Sequence, residues 1–186
     1  GGNIVEAVVI EAAEEDTLNS GLEKHENLDG LDAEEIRNIV REAGIVGMGG
    51  AMFPTHVKIS IPDDKNVDYV ILNGAECEPY LTADHRVMLD QTEKVVTGLK
   101  ILMKILVASR GLIAIEQNKQ DALAKITEAV KGTGIEVIPL EVKYPQGGEK
   151  QLIQATLGRE VPSGELPMDV GALVQNVGTA AAICDA

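Results

Sequence analysis

From Val67 onward, short β-branched apolar runs alternate with helical stretches, and each run ends in a polar, Gly- or Asn-bearing segment. Val67–Leu72, Leu112–Glu116, Ile135–Val142 and Ala172–Val174 have the length and composition of buried strands. Between them, about 92–107, 120–131 and 149–157 carry the helical period, and a further helix starts near Thr179. Strands separated by helices predict parallel βαβ units with right-handed crossovers. The expected fold is α/β, three layers around a mostly parallel sheet of about four strands.

Upstream, Asp32 and Glu35 form a capping-box pattern. Ile36, Ile39, Val40 and Ala43 then share one face and Gly44 supplies the stop, so a helix over 32–43 is expected. Ile4–Ile10 has the pattern of a strand, and 11–30 is acidic without an apolar period. The expected organisation is the tail of a preceding domain plus an acidic linker over 1–30, then one domain over 31–186. A chain of 186 residues suits one well-buried core.

Composition removes several functions. A net charge of −14 opposes binding to a nucleic-acid backbone, which needs a positive face. The apolar run Ile101–Ala108 is broken by Lys104 and falls far short of a membrane span. No signal peptide is recognisable, so a cytosolic setting is expected. Cys77 and Cys184 give neither a disulfide framework nor cluster-ligand spacing, and His25, His56 and His85 lack metal-ligand spacing. Cys77 is expected to be a structural thiol.

In open parallel sheets, ligands lie outside the carboxyl ends of the strands. There the sequence places Asn73 to Pro79, Gln117-Asn118-Lys119, Tyr144 to Lys150, and Asn176 to Thr179. An Asn offers a donor and an acceptor without charge, which suits a heterocycle with alternating carbonyls and ring nitrogens; the plain alternative is that it caps a turn or the next helix. Ahead of the first strand of the sheet, Gly47, Gly49 and Gly50 can bare their amides to an anion or simply make a turn. No GK[ST] follows, so this is not a P-loop. Phe53 can stack or anchor, Lys58 can reach a phosphate, and Glu76, Glu78 and Glu149 leave a paired-acid hydrolase as a distant alternative.

The segment Gly47 to Thr55 with Lys58 resembles the Gly-rich loop of the flavin subunit of respiratory complex I, and Asn73 to Pro79 resembles that family's N-x-x-E-x-E-P stretch. Tyr144 to Ile153, Gly158 to Ser163, Leu166 to Gly171 and Asn176 to Thr179 are similar to the flavin- and NADH-binding member of the Rnf ion-translocating ferredoxin:NAD oxidoreductase complexes. A cobalamin-reducing flavoprotein of bacterial microcompartments shares the domain. The resemblance implies a Rossmann-like fold holding FMN, with NADH stacked on the flavin. It implies FMN contacts at Gly47, Gly49, Gly50, Ala51, Lys58, Asn73, Glu76, Tyr144, Gly147, Gly148, Glu149, Asn176 and Thr179, and NADH contacts at Phe53, Glu78 and Glu149. Iron–sulfur clusters are then expected outside this chain, and other membrane-complex subunits, with ferredoxin indirectly, as partners on the cytoplasmic side of the cell membrane. Ala75 stands where the complex I family has an acidic residue and Met48 where it has Arg, implying a weaker hold on flavin and dinucleotide. A flavin-free module that only docks partner subunits is the alternative.

Overall fold

The computed structural model describes residues 8–11 and 28–186. The chain divides into two units, 1–30 and 31–186, and the second carries the site. Of the expected strand over 4–10, residues 8–10 have no regular structure and the remainder lies outside the described residues, as does most of the acidic segment.

Helix α1 spans Ala33–Glu42, and the capping box forms as its sequence dictates. Asp32 Oδ1 accepts from the N–H groups of Glu34 (2.8 Å) and Glu35 (2.9 Å), while Glu35 Oε2 accepts from Asp32 N–H at 2.7 Å. Asp32→Ala leaves those donors to water and should lower stability by about 1 kcal/mol in urea unfolding. A one-turn helix α2 (Thr55–Lys58) follows.

The sheet is four-stranded and all parallel: β1 (Tyr69–Gly74), β2 (Arg110–Glu116), β3 (Glu136–Leu140) and β4 (Ala172–Asn176), in the order β3-β2-β1-β4. Pro139 is tolerated because β3 lies at an edge, where a missing N–H breaks no central ladder. β1 runs two residues further than the apolar run suggests. Asn73 and Gly74 remain paired with Ala114 and Ile115, so Asn73 is the end of a strand rather than a loop residue.

Side-chain alternation assigns the two faces. Ile71, Leu112, Ala114, Ala172 and Val174 pack against Leu152 and Ile153 of α6 (Glu149–Leu157). On the opposite face, a Cβ at Gly74 would meet Met88 of α3 (Ala83–Asp90), and one at Gly111 would meet Leu99 and Met103 of α4 (Thr92–Leu106). α5 (Gln120–Ala129) and α7 (Val177–Asp185) complete that layer. Leu99, Leu102 and Ile105 of α4 are sealed from solvent, each burial favouring the fold by about 1.5–3 kcal/mol. Gly98 lets α4 and α7 approach closely: a Cβ there would lie 1.9 Å from the Ala180 carbonyl oxygen.

Candidate functional site

The chain winds from β1 out to β3 and then returns to β4 on the other side of β1, so the strand order reverses between β1 and β4. At such a switch point the loops after the two strands diverge and leave a crevice. Asn73 and Asn176 are register partners at its rim.

Two abutting hollows open there, of about 240 and about 500 Å³, sharing Gly49, Asn73, Gly147 and Asn176. An apolar groove of about 440 Å³ continues from the first past Ala51, Phe53, Lys58 and Glu149 to Met168 and Leu173. Of the fifteen residues expected at the site, all but Thr179 line one of these three spaces. Thr179 is fully buried beneath the Gly-rich loop, where its Oγ1 accepts the Met48 N–H at 2.8 Å.

The Gly-rich loop is closed at its neck. Val46 bridges Pro54, Gly47 N–H donates to Phe53 O at 2.8 Å, and Thr55 N–H donates to Ile45 O at 3.0 Å. Thr55 itself is buried and accepts from Gln175 Nε2 at 3.4 Å, which ties the neck to β4. Gly50 sits at φ +128°, a conformation side-chain-bearing residues avoid, and Met52 holds φ +52°. Met52 and Phe53 are exposed at the cleft mouth.

Asn73 uses both ends of its amide: Nδ2 donates to Gly147 O (2.9 Å) and Oδ1 accepts from Ala75 N–H (3.0 Å). It thereby pins the Tyr144–Gly148 segment beside the end of β1. Asn176 is the cap of α7, its Oδ1 accepting from Gly178 N–H (2.8 Å) and Thr179 N–H (3.2 Å), as the plain capping reading expects. Its Nδ2 remains directed at Asp84 Oδ2, 2.7 Å away. Asn118 lies after β2, on the far side of β1 from β4, and lines neither hollow, so two Asn-ended strands rather than three frame the crevice.

Glu76 reaches back to the first turn of α3, accepting from Asp84 N–H at 3.0 Å and His85 N–H at 3.3 Å. Glu149 Oε1 pairs with Lys58 Nζ at 2.8 Å, so the expected phosphate ligand already has a carboxylate partner. Glu78 is exposed on the rim and Cys77 is half-buried. Among the described residues no cluster of His, Cys, Asp or Glu has a metal-holding arrangement. No helix among them is long and apolar enough to cross a membrane.

Asp84 belongs to the site, and nothing in its local sequence pointed there. Burial, with the Glu76 charge beside it and against the Asn176 hydrogen bond, pushes its carboxyl up to about 6. The segment that carries it gives little signal: α3 has eight residues, of which Met88 alone is buried. Behind the same loop, Glu116 is fully enclosed and neither carboxylate oxygen has a hydrogen bond. Burial raises its pKa, opposed by Lys119 and by the Glu76 backbone N–H, which faces the carboxylate outside hydrogen-bond geometry, and reinforced by the Glu76 charge. The folded state therefore favours the protonated form, a contribution present below the ordinary glutamate pKa and lost as pH rises through the elevated one. Glu116→Gln should raise Tm relative to the parent chain at about pH 8 and converge with it near about pH 4, as read by thermal unfolding across that range.

A parallel α/β sheet with a Gly-walled crevice at its switch point is the architecture of a nucleotide-cofactor domain. The Nuo51 FMN-binding domain family matches residues 40–185, and the chain belongs to that family. It is 54% identical over 185 residues to the C component of the Na(+)-translocating ferredoxin:NAD(+) oxidoreductase complex of Acetobacterium woodii, covering 99% of this chain and 42% of that protein. It is 55% identical over 181 residues to the proton-translocating counterpart of Clostridium ljungdahlii, covering 97% of this chain and 40% of that one. The chain thus spans about two-fifths of the length of these relatives. An NAD+-reducing [NiFe]-hydrogenase, solved in its H2-reduced state, shares the fold with a TM-score of 0.71 at 23% identity, over 83% of this chain and 30% of that one.

Proposed function

We propose that residues 31–186 form the FMN- and NAD(H)-binding electron-entry domain of a membrane-associated, ion-translocating ferredoxin:NAD oxidoreductase, with residues 1–30 as the end of a preceding domain and a linker. The observation that carries this reading is the crevice at the β1/β4 switch point, where the register partners Asn73 and Asn176 face the Gly-rich loop. Family membership supplies the flavin, and the relatives' names supply the complex and the nicotinamide.

The residues fit a bound mononucleotide. Backbone comes close at two glycines: a Cβ at Gly147 would sit 2.9 Å from Ala75 O, and one at Gly49 would sit 3.4 Å from Asn176 Cβ. Side chains at these points would narrow the floor of the cleft, so glycine keeps it open. The combined hollow is within the usual range for cofactor sites. Gly49, Gly50 and Ala51 would offer backbone to the phosphate end, while Asn73, Gly147 and Gly148 would hold the ring end. FMN supplies the conversion between a two-electron hydride and single electrons. Phe53 stands between the cleft and the apolar groove, which places an aromatic face where a dinucleotide would lie over the flavin, with Glu78 and Glu149 at the two ends. Iron–sulfur clusters elsewhere in the complex, then ferredoxin, would take electrons onward at the cytoplasmic face of the membrane.

Anaerobic addition of NADH to the FMN-loaded full-length protein tests this. The expected result is loss of the oxidised flavin's visible absorbance. Retained flavin that NADH leaves unbleached would sink the electron-entry assignment.

A further inference from the structure

The cleft that this reading fills with a phosphate-bearing flavin is walled by acid. Glu76, Glu78 and Asp84 line the larger hollow and Glu149 the smaller. Lys58 is the one cation among the residues lining the two, and it is already paired with Glu149. Four carboxylates against one ammonium leave three net negative charges, before a phosphate dianion enters. Like charges in a partly desolvated cleft disfavour one another strongly enough to shift protonation, so the anion's arrival should be accompanied by a proton.

The geometry decides which group takes it. The Glu76 oxygens already accept from two α3 backbone N–H groups. Glu149 is held by Lys58, and Glu78 is bathed in water. Asp84 is half-buried like Glu76 and Glu149, but it has neither backbone donors nor a cation: Oδ2 accepts from the uncharged Asn176 amide, Oδ1 accepts nothing among the described residues, and the Glu76 charge faces it. Of the elements packed against α3, α5 brings Asp121, paired with His85 at 2.8 Å. α4 and α7 bring Lys94 and Asp185, paired with each other at 2.6 Å. β1 leads into Glu76, the charge that acts on Asp84. Glu116, enclosed behind the same loop, is one more carboxyl group beside Glu76 and adds no positive charge there.

We propose that Asp84 is the proton-uptake site of the cleft: an anionic ligand enters together with one proton from solvent, which converts the Asp84 carboxylate to the acid. The change removes a repelling charge and gives the free oxygen a hydrogen to donate into the cleft. Asp84 is thereby a positioning residue for the ligand. Its carboxyl, already pushed up to about 6, needs a smaller further rise for uptake at physiological pH than an ordinary carboxyl would.

The inference rests on the flavin reading, and calorimetry separates the two. FMN is titrated into the chain near about pH 7 in two buffers of different ionisation enthalpy, and its affinity is followed from about pH 6 to about pH 8. The expected results are net uptake of more than about half a proton per FMN bound near about pH 7 and an affinity that falls about tenfold across that range. Asp84→Asn should show neither, and riboflavin, lacking the phosphate, should take up little or no proton with the parent chain. FMN binding without buffer dependence overturns the proposal and leaves the flavin reading standing; so does full uptake in Asp84→Asn. No FMN binding at any pH overturns both. Should Asp84→Asn fail to fold, the 31P shift of FMN bound to the parent chain decides, because a phosphate monoester itself titrates near about pH 6: proton uptake with a bound dianion supports Asp84 as the acceptor, and a bound monoanion overturns it.

Discussion

Gly98→Ala should destabilise the protein by about 3 kcal/mol, despite alanine's better helix propensity. The added methyl would lie 1.9 Å from the Ala180 carbonyl oxygen, 2.5 Å from its carbonyl carbon and 3.0 Å from its Cα. None of these is the end of a flexible side chain. α4 and α7 must separate, and both are built into the core: Val95, Leu99 and Leu102 on one helix and Val177, Ala180 and Ala181 on the other are almost wholly buried. Close-packed interiors do not absorb such a shift locally. Because α7 carries Thr179, whose hydroxyl holds the Met48 amide, and begins at the Asn176 cap, the displacement reaches the Gly-rich loop. Urea unfolding measures the loss, and a midpoint unchanged from the parent chain would show that the two helices do not meet as described.

Asn73→Ala is expected to weaken FMN binding by about 10- to 100-fold, a cost of about 1.4–2.8 kcal/mol. The substitution removes the donor to Gly147 O and the acceptor of Ala75 N–H in one step. The end of β1 and the Tyr144–Gly148 segment lose the tie that fixes their separation. Fold stability should fall far less, since Asn73 keeps its place in the ladder between Ala114 and Asn176. Quenching of flavin fluorescence reads the affinity; an unchanged value would remove Asn73 from the site.

The βαβ alternation is legible because its strands are apolar runs and its longer helices have strong periodic faces. β2 and α4 therefore fall within two residues of their expected bounds. α3 is not legible: with Met88 as its sole buried residue it gives the sequence no stripe to reveal it. Asp84 is hidden for the same reason, since the residue matters only once α3 turns it toward Asn176. The site's location follows from the strand ends, but its width does not. Asn118 follows an apolar run as Asn73 and Asn176 do, but it lies beyond the end of β2, where Ala114 is the partner of Asn73, and the strand order places β4 at the switch point instead. Likewise the Lys58–Glu149 pair joins residues 91 positions apart, a closure that no local pattern encodes.

Whether the crevice between β1 and β4 holds FMN is tested most directly by dialysis of the chain against FMN, beside a Gly49→Leu variant. Gly49 lies on the exposed Gly-rich loop and lines both hollows, and a Cβ there meets Asn176 Cβ at contact distance, 3.4 Å, so the larger side chain extends over the floor of the cleft. The expected outcome is one flavin retained per parent chain, none by the variant, and the same unfolding transition for both. Equal retention by the two chains, or none by the parent, would contradict a flavin site in this crevice.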